Sequence, residues 1–239
     1  MNEDLLDLTA MVLESSPVGE YDRRVVLLTR ERGRISCFAP GARRQGSSIM
    51  AACLPFCFGN YKLRQGRSSN RLVEANIRTF FNKLREDMEA TCYASYFAEV
   101  LKYITRENND EAALLLLAYQ SFKALESERI PRRLIRAVFE IRTLVIEGEF
   151  LPPLEADGFS PAAIQAVDHI ARSQIRTLYT FAVNESVLLE LEHIASVSMG
   201  RSLNHKFESL DILKVLLPSQ DVFHGLFLHV CEQRSMETK

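Results

Sequence analysis

Up to about residue 78, apolar and polar side chains alternate with a period close to two. LTAMVLES (8–15), RRVVLLTR (23–30), ISCFA (35–39), FCFGNYKL (56–63) and RLVEANI (71–77) are short and rich in Val, Ile, Phe and Tyr. SPVGEYD, ERGR, GARRQGSS and QGRSSN divide them, each with the Gly, Pro, Asn or Ser that turns require. The pattern predicts five strands. So small a sheet gains by closing on itself, because closure removes its unpaired edges, and the simplest five-stranded closed arrangement is the OB-fold.

After Ile77 the period changes to 3.6. Tyr93, Tyr96, Phe97, Val100, Leu101 and Ile104 fall at i, i+3, i+4, i+7, i+8 and i+11, one face of a helix. Asn108 with Glu111 reads as the cap of a second helix running through AALLLLAYQSFKAL. Pro131 suits the first turn of a third, RRLIRAVFEIRTLVI, which ends near Gly148, and Pro152-Pro153 enforces a break. Ser160-Pro161 opens PAAIQAVDHIARS, SVLLELEHIASVSM stops at Gly200, SLDILKVLL stops at Pro218, and VFHGLFLHVCEQ closes the chain. The fold class is therefore α+β multidomain: an OB-fold barrel over residues 1–78, then an all-α helical domain over 79–239, joined without a flexible linker.

Composition narrows the class. With 47% apolar and 25% charged residues the chain reads as an ordinary globular protein. The longest apolar run, AALLLLAY, is far short of the ~20 residues of a bilayer span. The opening MNEDLLD is acidic where a secretory signal is basic, so a cytoplasmic location is expected. Cys37, Cys53, Cys57, Cys92 and Cys231 are odd in number and scattered, as reduced buried thiols are.

The net charge of −2 hides a strong asymmetry. From Arg23 to Arg78 there are twelve Arg/Lys against two acids, Glu31 and Glu74, whereas residues 86–239 hold fifteen basic and twenty-three acidic residues. Such a distribution points to a polyanion at one end of the molecule only.

Motifs for catalysis are missing. There is no Walker sequence, no G-x-G-x-x-G and no G-x-S-x-G, and GRSSNR (66–71) lacks the lysine of a P-loop. His224 and His229 are five apart and point in different directions on a helix; His169, His193 and His205 have no evident partner; Glu147 and Glu149 flank a helix-ending glycine. No enzyme activity, cofactor or metal is expected. The basic strands are more informative. Phe56, Phe58, Tyr61 and Leu63 alternate with Lys62 and Arg64, so the aromatics either fill a barrel core or stack on bases. Arg43 and Arg44 in the glycine-rich loop, with Arg64, Arg67 and Arg71, repel one another unless a phosphate backbone relieves them.

VGEYDRRVVLLTRERGRISCFAPGARRQGSS (18–48) resembles the RecO family, the bacterial recombination mediators of DNA repair, nearly residue for residue. LPFCFGNYKLRQGR (54–67) and REDMEATCYASYFAEVL (85–101) are similar to the family's next strand pair and first helix, with a moderate likeness through FEIRTLVIEGEFLPPL (139–154) and a weak one around MGRSLNHKFESLDIL (199–213). The resemblance implies an OB domain on a helical domain. It also implies non-specific binding of single- and double-stranded DNA, annealing of complementary strands, and help for RecA against single-strand-binding protein (SSB). RecR is the implied partner, RecF and RecA further ones, with the protein at the nucleoid and no nucleotide hydrolysis. Many members carry four zinc-binding cysteines after the leucine-proline segment; LEADGFSPAAIQAVDHI has none, so no zinc site carries over to 155–183.

On that footing Arg43, Arg44, Lys62, Arg64, Arg67 and Arg71 contact phosphates, and Arg23, Arg24 and Arg34 extend the path. Arg129, Arg132, Arg133 and Arg136, at i, i+3, i+4 and i+7, form a helical stripe suited to the acidic SSB tail that the family takes up. Composition alone suits three alternatives: an RNA-binding OB adaptor, a scaffold for an acidic protein, or a magnesium-dependent nuclease. Annealing of SSB-coated strands, RNA binding, competition by DNA and a cleavage assay distinguish them.

Overall fold

The computed structural model describes residues 5–153 and 157–216. The expected last helix at 222–233, with His224, His229 and Cys231, and the stop at Pro218 lie outside them. Five strands, β1 (Leu5–Val18), β2 (Asp22–Thr29), β3 (Gly33–Ala39), β4 (Phe58–Gln65) and β5 (Asn70–Thr79), close into a barrel in the order β1-β2-β3-β5-β4. The β3–β5 pair is parallel and all others are antiparallel, which is the OB-fold. Seven helices follow among the described residues: α1 (Asn82–Glu86), α2 (Met88–Ile104), α3 (Ala112–Leu125), α4 (Arg132–Glu147), α5 (Pro161–Arg172), α6 (Glu185–Ser202) and α7 (Glu208–Leu216).

Alternation explains the barrel interior: Leu8, Ala10, Val12, Val25, Leu27, Ile35, Cys37, Tyr61 and Leu63 point inward and are buried. β1 carries a bulge between Val12 and Glu14, and its other face is buried too. Met11 and Leu13 on β1, with Leu28 and Phe56, belong to the same apolar core as α2, α3 and α4. One side of the barrel is therefore inside the helical core, where Phe97 stacks on Phe139 at 4.0 Å and Phe122 meets Phe56 and Phe81 edge-on. Phe56 and Phe81 both adopt left-handed backbone, φ 70° and 49°, a conformation held by this packing.

Several local expectations change. FCFGNYKL enters the sheet only at Phe58, because Phe56 turns out to meet α3. Asn108 does not cap α3: its φ is +66° and its N–H donates to the Arg32 carbonyl at 2.9 Å, while Glu111 occupies the cap position without a side-chain bond. Docking of the α2–α3 loop on the β2–β3 turn decides this. Gly200 does not end α6, which runs to Ser202. Asp87 separates α1 from α2 and caps α2 through the Ala90 N–H at 3.0 Å. Ser160 caps α5 through Ala163, with Pro161 opening the helix, and Gly148 ends α4 at φ +75°. Among the described residues no helix is long and apolar enough to cross a membrane.

Candidate nucleic-acid interface

Two grooves open on the outer wall of the barrel. The first, about 740 Å³, lies between the outer face of β2–β3 and the β4–β5 hairpin, and α2 closes one end with Lys102. Arg24, Arg34 and Arg67 line it, with Phe38 at its side and Ser69 and Asn70 from the hairpin; Glu14, paired with Lys102 at 2.5 Å, and Glu107 lie at the α2 end. The second, about 620 Å³, lies between the 40–49 loop and the outer face of β4–β5, and collects Arg44, Arg64 and Arg71. Arg64 and Arg71 are directly opposed in the β4–β5 register, both exposed. Cross-strand neighbours sit about 5 Å apart at Cβ, so two positive charges are concentrated at one place on the sheet.

The loop that carries Arg43 and Arg44 is built, not slack. Gly41 and Gly46 take φ +67° and +76°, the Gly41 N–H donates to Asp22 Oδ1 at 2.8 Å, and the Arg43 N–H donates to the Tyr21 carbonyl at 2.8 Å. Arg44 sits over the Tyr21 ring at 4.9 Å, and Arg43 Nη1 donates to the Gly19 carbonyl at 2.9 Å. Arg23 donates to Ser15 Oγ at 3.2 Å and Arg24 to Ser36 Oγ at 3.5 Å. Hydroxyls, a carbonyl and a ring hold these four guanidinium groups in place without cancelling their charge.

The other expected residues fall differently. Lys62 is paired with Glu74 at 2.9 Å. The Arg34 guanidinium donates to the Lys102 carbonyl, so it braces the barrel against α2 while lining the first groove. Arg23, Arg43 and Lys62 line neither groove. Of the strand aromatics, Tyr61 is fully buried and donates to the Ala52 carbonyl at 3.0 Å, and Phe58 packs on Tyr119 at 4.8 Å. They are core. On the barrel the exposed rings are instead Phe38 (39%) and Tyr21 (44%), neither of them among the residues expected to meet a ligand. For Phe38 the signal lies in ISCFA: Ile35, Cys37 and Ala39 face inward, so Phe38 must face out.

Three of the four arginines of the expected helical stripe are ion-paired within the molecule, and the fourth, Arg129, lies ahead of α4 and is not on the helix. Arg132 pairs with Asp87 and with Glu89 at 2.6 Å, Arg133 with Glu185 at 2.6 Å and with Glu192, and Arg136 with Glu140 at 2.8 Å. Glu140 is 2% exposed and also accepts from the Tyr96 hydroxyl at 2.7 Å. Arg129 is exposed, its N–H donating to Ser127 Oγ. Burial pushes the Cys37 thiol up to about 12 and that of Cys53 to about 11. Among the described residues no three His, Cys, Asp or Glu side chains assemble into a metal site.

Residues 1–81 match the family model of the recombination protein O N-terminal region, and residues 85–152 that of its C-terminal region. The DNA repair protein RecO of Acetivibrio thermocellus is 28% identical over 88% of this chain and 97% of its own. That of Clostridium kluyveri is 22% identical over 91% and 97%, and that of Desulforudis audaxviator 34% over 58% and 55%. With an OB barrel on a helical bundle, a braced arginine loop and both regional matches in order, this chain belongs to the RecO family of DNA repair proteins.

Proposed function

We propose that the chain is a non-catalytic mediator whose barrel binds single- and double-stranded DNA by its phosphates, anneals complementary strands and assists RecA loading on SSB-coated DNA. The observation that carries this reading is the convergence of Arg44 on the opposed Arg64–Arg71 pair in one groove. A phosphate bound among those groups meets three positive charges in one place, and the counterions it releases drive association. A uniform backbone gives contacts without sequence preference. Residues 1–78 then serve DNA, and 79–239 serve partners: RecR, RecF or RecA, and the SSB tail. A tail carboxylate reaching Arg132 or Arg133 must displace Asp87 or Glu192, so that site is a competitive one.

The test is annealing of complementary strands coated with SSB. Acceleration by the purified chain is expected. Loss of acceleration in Arg44→Ala/Arg71→Ala is expected as well, and an unchanged rate in that variant refutes the assignment.

A further inference from the structure

The two grooves share one wall, and that wall is the β4–β5 hairpin. Arg64 is the last residue but one of β4, Arg67 lies in the connecting turn, and Arg71 is the second residue of β5. Asn70 belongs to the first groove and Arg71 to the second, while Phe38 pairs with Arg71 across the β3–β5 ladder. Strands so paired run about 5 Å apart, so the grooves lie side by side. Each groove also has arginine on its outer wall, Arg24 in one and Arg44 in the other. The turn is closed by the Gly66 N–H donating to the Ser69 carbonyl at 3.1 Å, and a Cβ on Gly66 would stand 2.6 Å from that oxygen, so the ridge keeps a tight shape.

Building on the DNA-binding reading above, we infer that one protomer holds two single strands at once, one on each side of this arginine-bearing ridge. Away from the α2 end, where Glu14 and Glu107 lie, the charge arrangement suits two parallel polyanions. Cations on the ridge screen the strands from each other, while Arg24 and Arg44 hold their outer sides. The grooves differ in chemistry. Phe38, half-exposed beside Ser36, Ser69 and Asn70, offers the first strand a stacking face and hydrogen-bonding groups. The second groove, dominated by the opposed arginines, grips backbone. Strands held abreast, one of them with bases engaged and the other by phosphate alone, are placed for pairing.

The experiment titrates the full chain with (dT)8, unable to self-pair and about one barrel groove in length, in donor- and acceptor-labelled forms, with native mass spectrometry fixing the number per protomer. Two (dT)8 per protomer and energy transfer between labels are expected. Arg44→Ala/Arg71→Ala is expected to leave one (dT)8, as is Arg24→Ala/Phe38→Ala, and each variant keeps the remaining affinity within about threefold while annealing falls about tenfold or more. One (dT)8 per protomer in the parent chain, or both variants weakening a single shared isotherm, overturns the two-strand arrangement and leaves the DNA-binding reading standing. No (dT)8 binding overturns both.

Discussion

The joint between barrel and helices turns on Gly33, and replacing it by alanine is the sharpest perturbation of the fold. Gly33 has φ +63°, and a Cβ built there stands 2.1 Å from the Arg106 carbonyl oxygen and 3.1 Å from that of Asn109. Neither is a flexible side-chain end. The α2–α3 loop must retreat, and with it go the bond from Arg34 N–H to the Arg106 carbonyl at 3.0 Å and that from Asn108 N–H to the Arg32 carbonyl at 2.9 Å. The left-handed backbone costs an alanine about 1–2 kcal/mol, and breaking two backbone bonds costs about 1 kcal/mol each, for a total of about 3–4 kcal/mol. That is a large part of the ~5–15 kcal/mol by which domains are stable. Gly19→Ala is the control: its φ is +57° but nothing lies within 4 Å, so only the conformational cost of about 1–2 kcal/mol applies. Urea unfolding followed by far-UV circular dichroism measures both, since the chain has no tryptophan. Equal destabilisation of the two variants would refute the idea that docking at Gly33 couples the modules.

Three further outcomes rest on the same geometry. Arg44→Ala/Arg71→Ala should make the log–log salt dependence of single-strand binding shallower by about 1.4, at about 0.7 for each phosphate no longer neutralised, as read by fluorescence anisotropy. Glu140→Ala strands the partly buried Arg136 and should cost about 3 kcal/mol in denaturant unfolding, whereas Glu140→Met with Arg136→Met, which removes both charges, should recover most of it. Partial burial works against the Glu99 charge, yet hydrogen bonds from Ser209 and the Glu208 N–H hold its carboxyl below the usual range. A lowered folded-state value means the clasp on α7 is fully present above the ordinary carboxylate range and is lost as pH falls through the lowered one. The hydrogen-exchange protection factors of α7, corrected for the intrinsic rate, should therefore fall on acidification, and Glu99→Gln should abolish that pH dependence.

Residues with a strong period declared themselves without a structure. A period of two over the first 78 residues, with turn chemistry between, is enough for five strands, and five strands are few enough that closure is the favoured solution. The helices at Tyr93–Ile104, after Ser160-Pro161 and up to Gly148 are legible for the same reason: apolar spacing and caps act within a few residues of each other. So is the concentration of arginine in one segment, since charge adds along the chain whatever its fold.

Only the tertiary structure decided which of those arginines act together. Arg44, Arg64 and Arg71 meet because the register sets Arg64 against Arg71 and closure brings the 40–49 loop beside them. Arg34 is drawn to the Lys102 carbonyl, and Arg132, Arg133 and Arg136 to carboxylates from α2, α4, α6 and the α2 cap, partners forty or more residues distant except for Glu140. Whether Tyr61 fills the core or meets a ligand, open in the sequence, is settled by closure, which puts its face of β4 inside the barrel. Local periodicity writes elements into the sequence; contact between elements is a property of closure and docking, which no short window of residues contains.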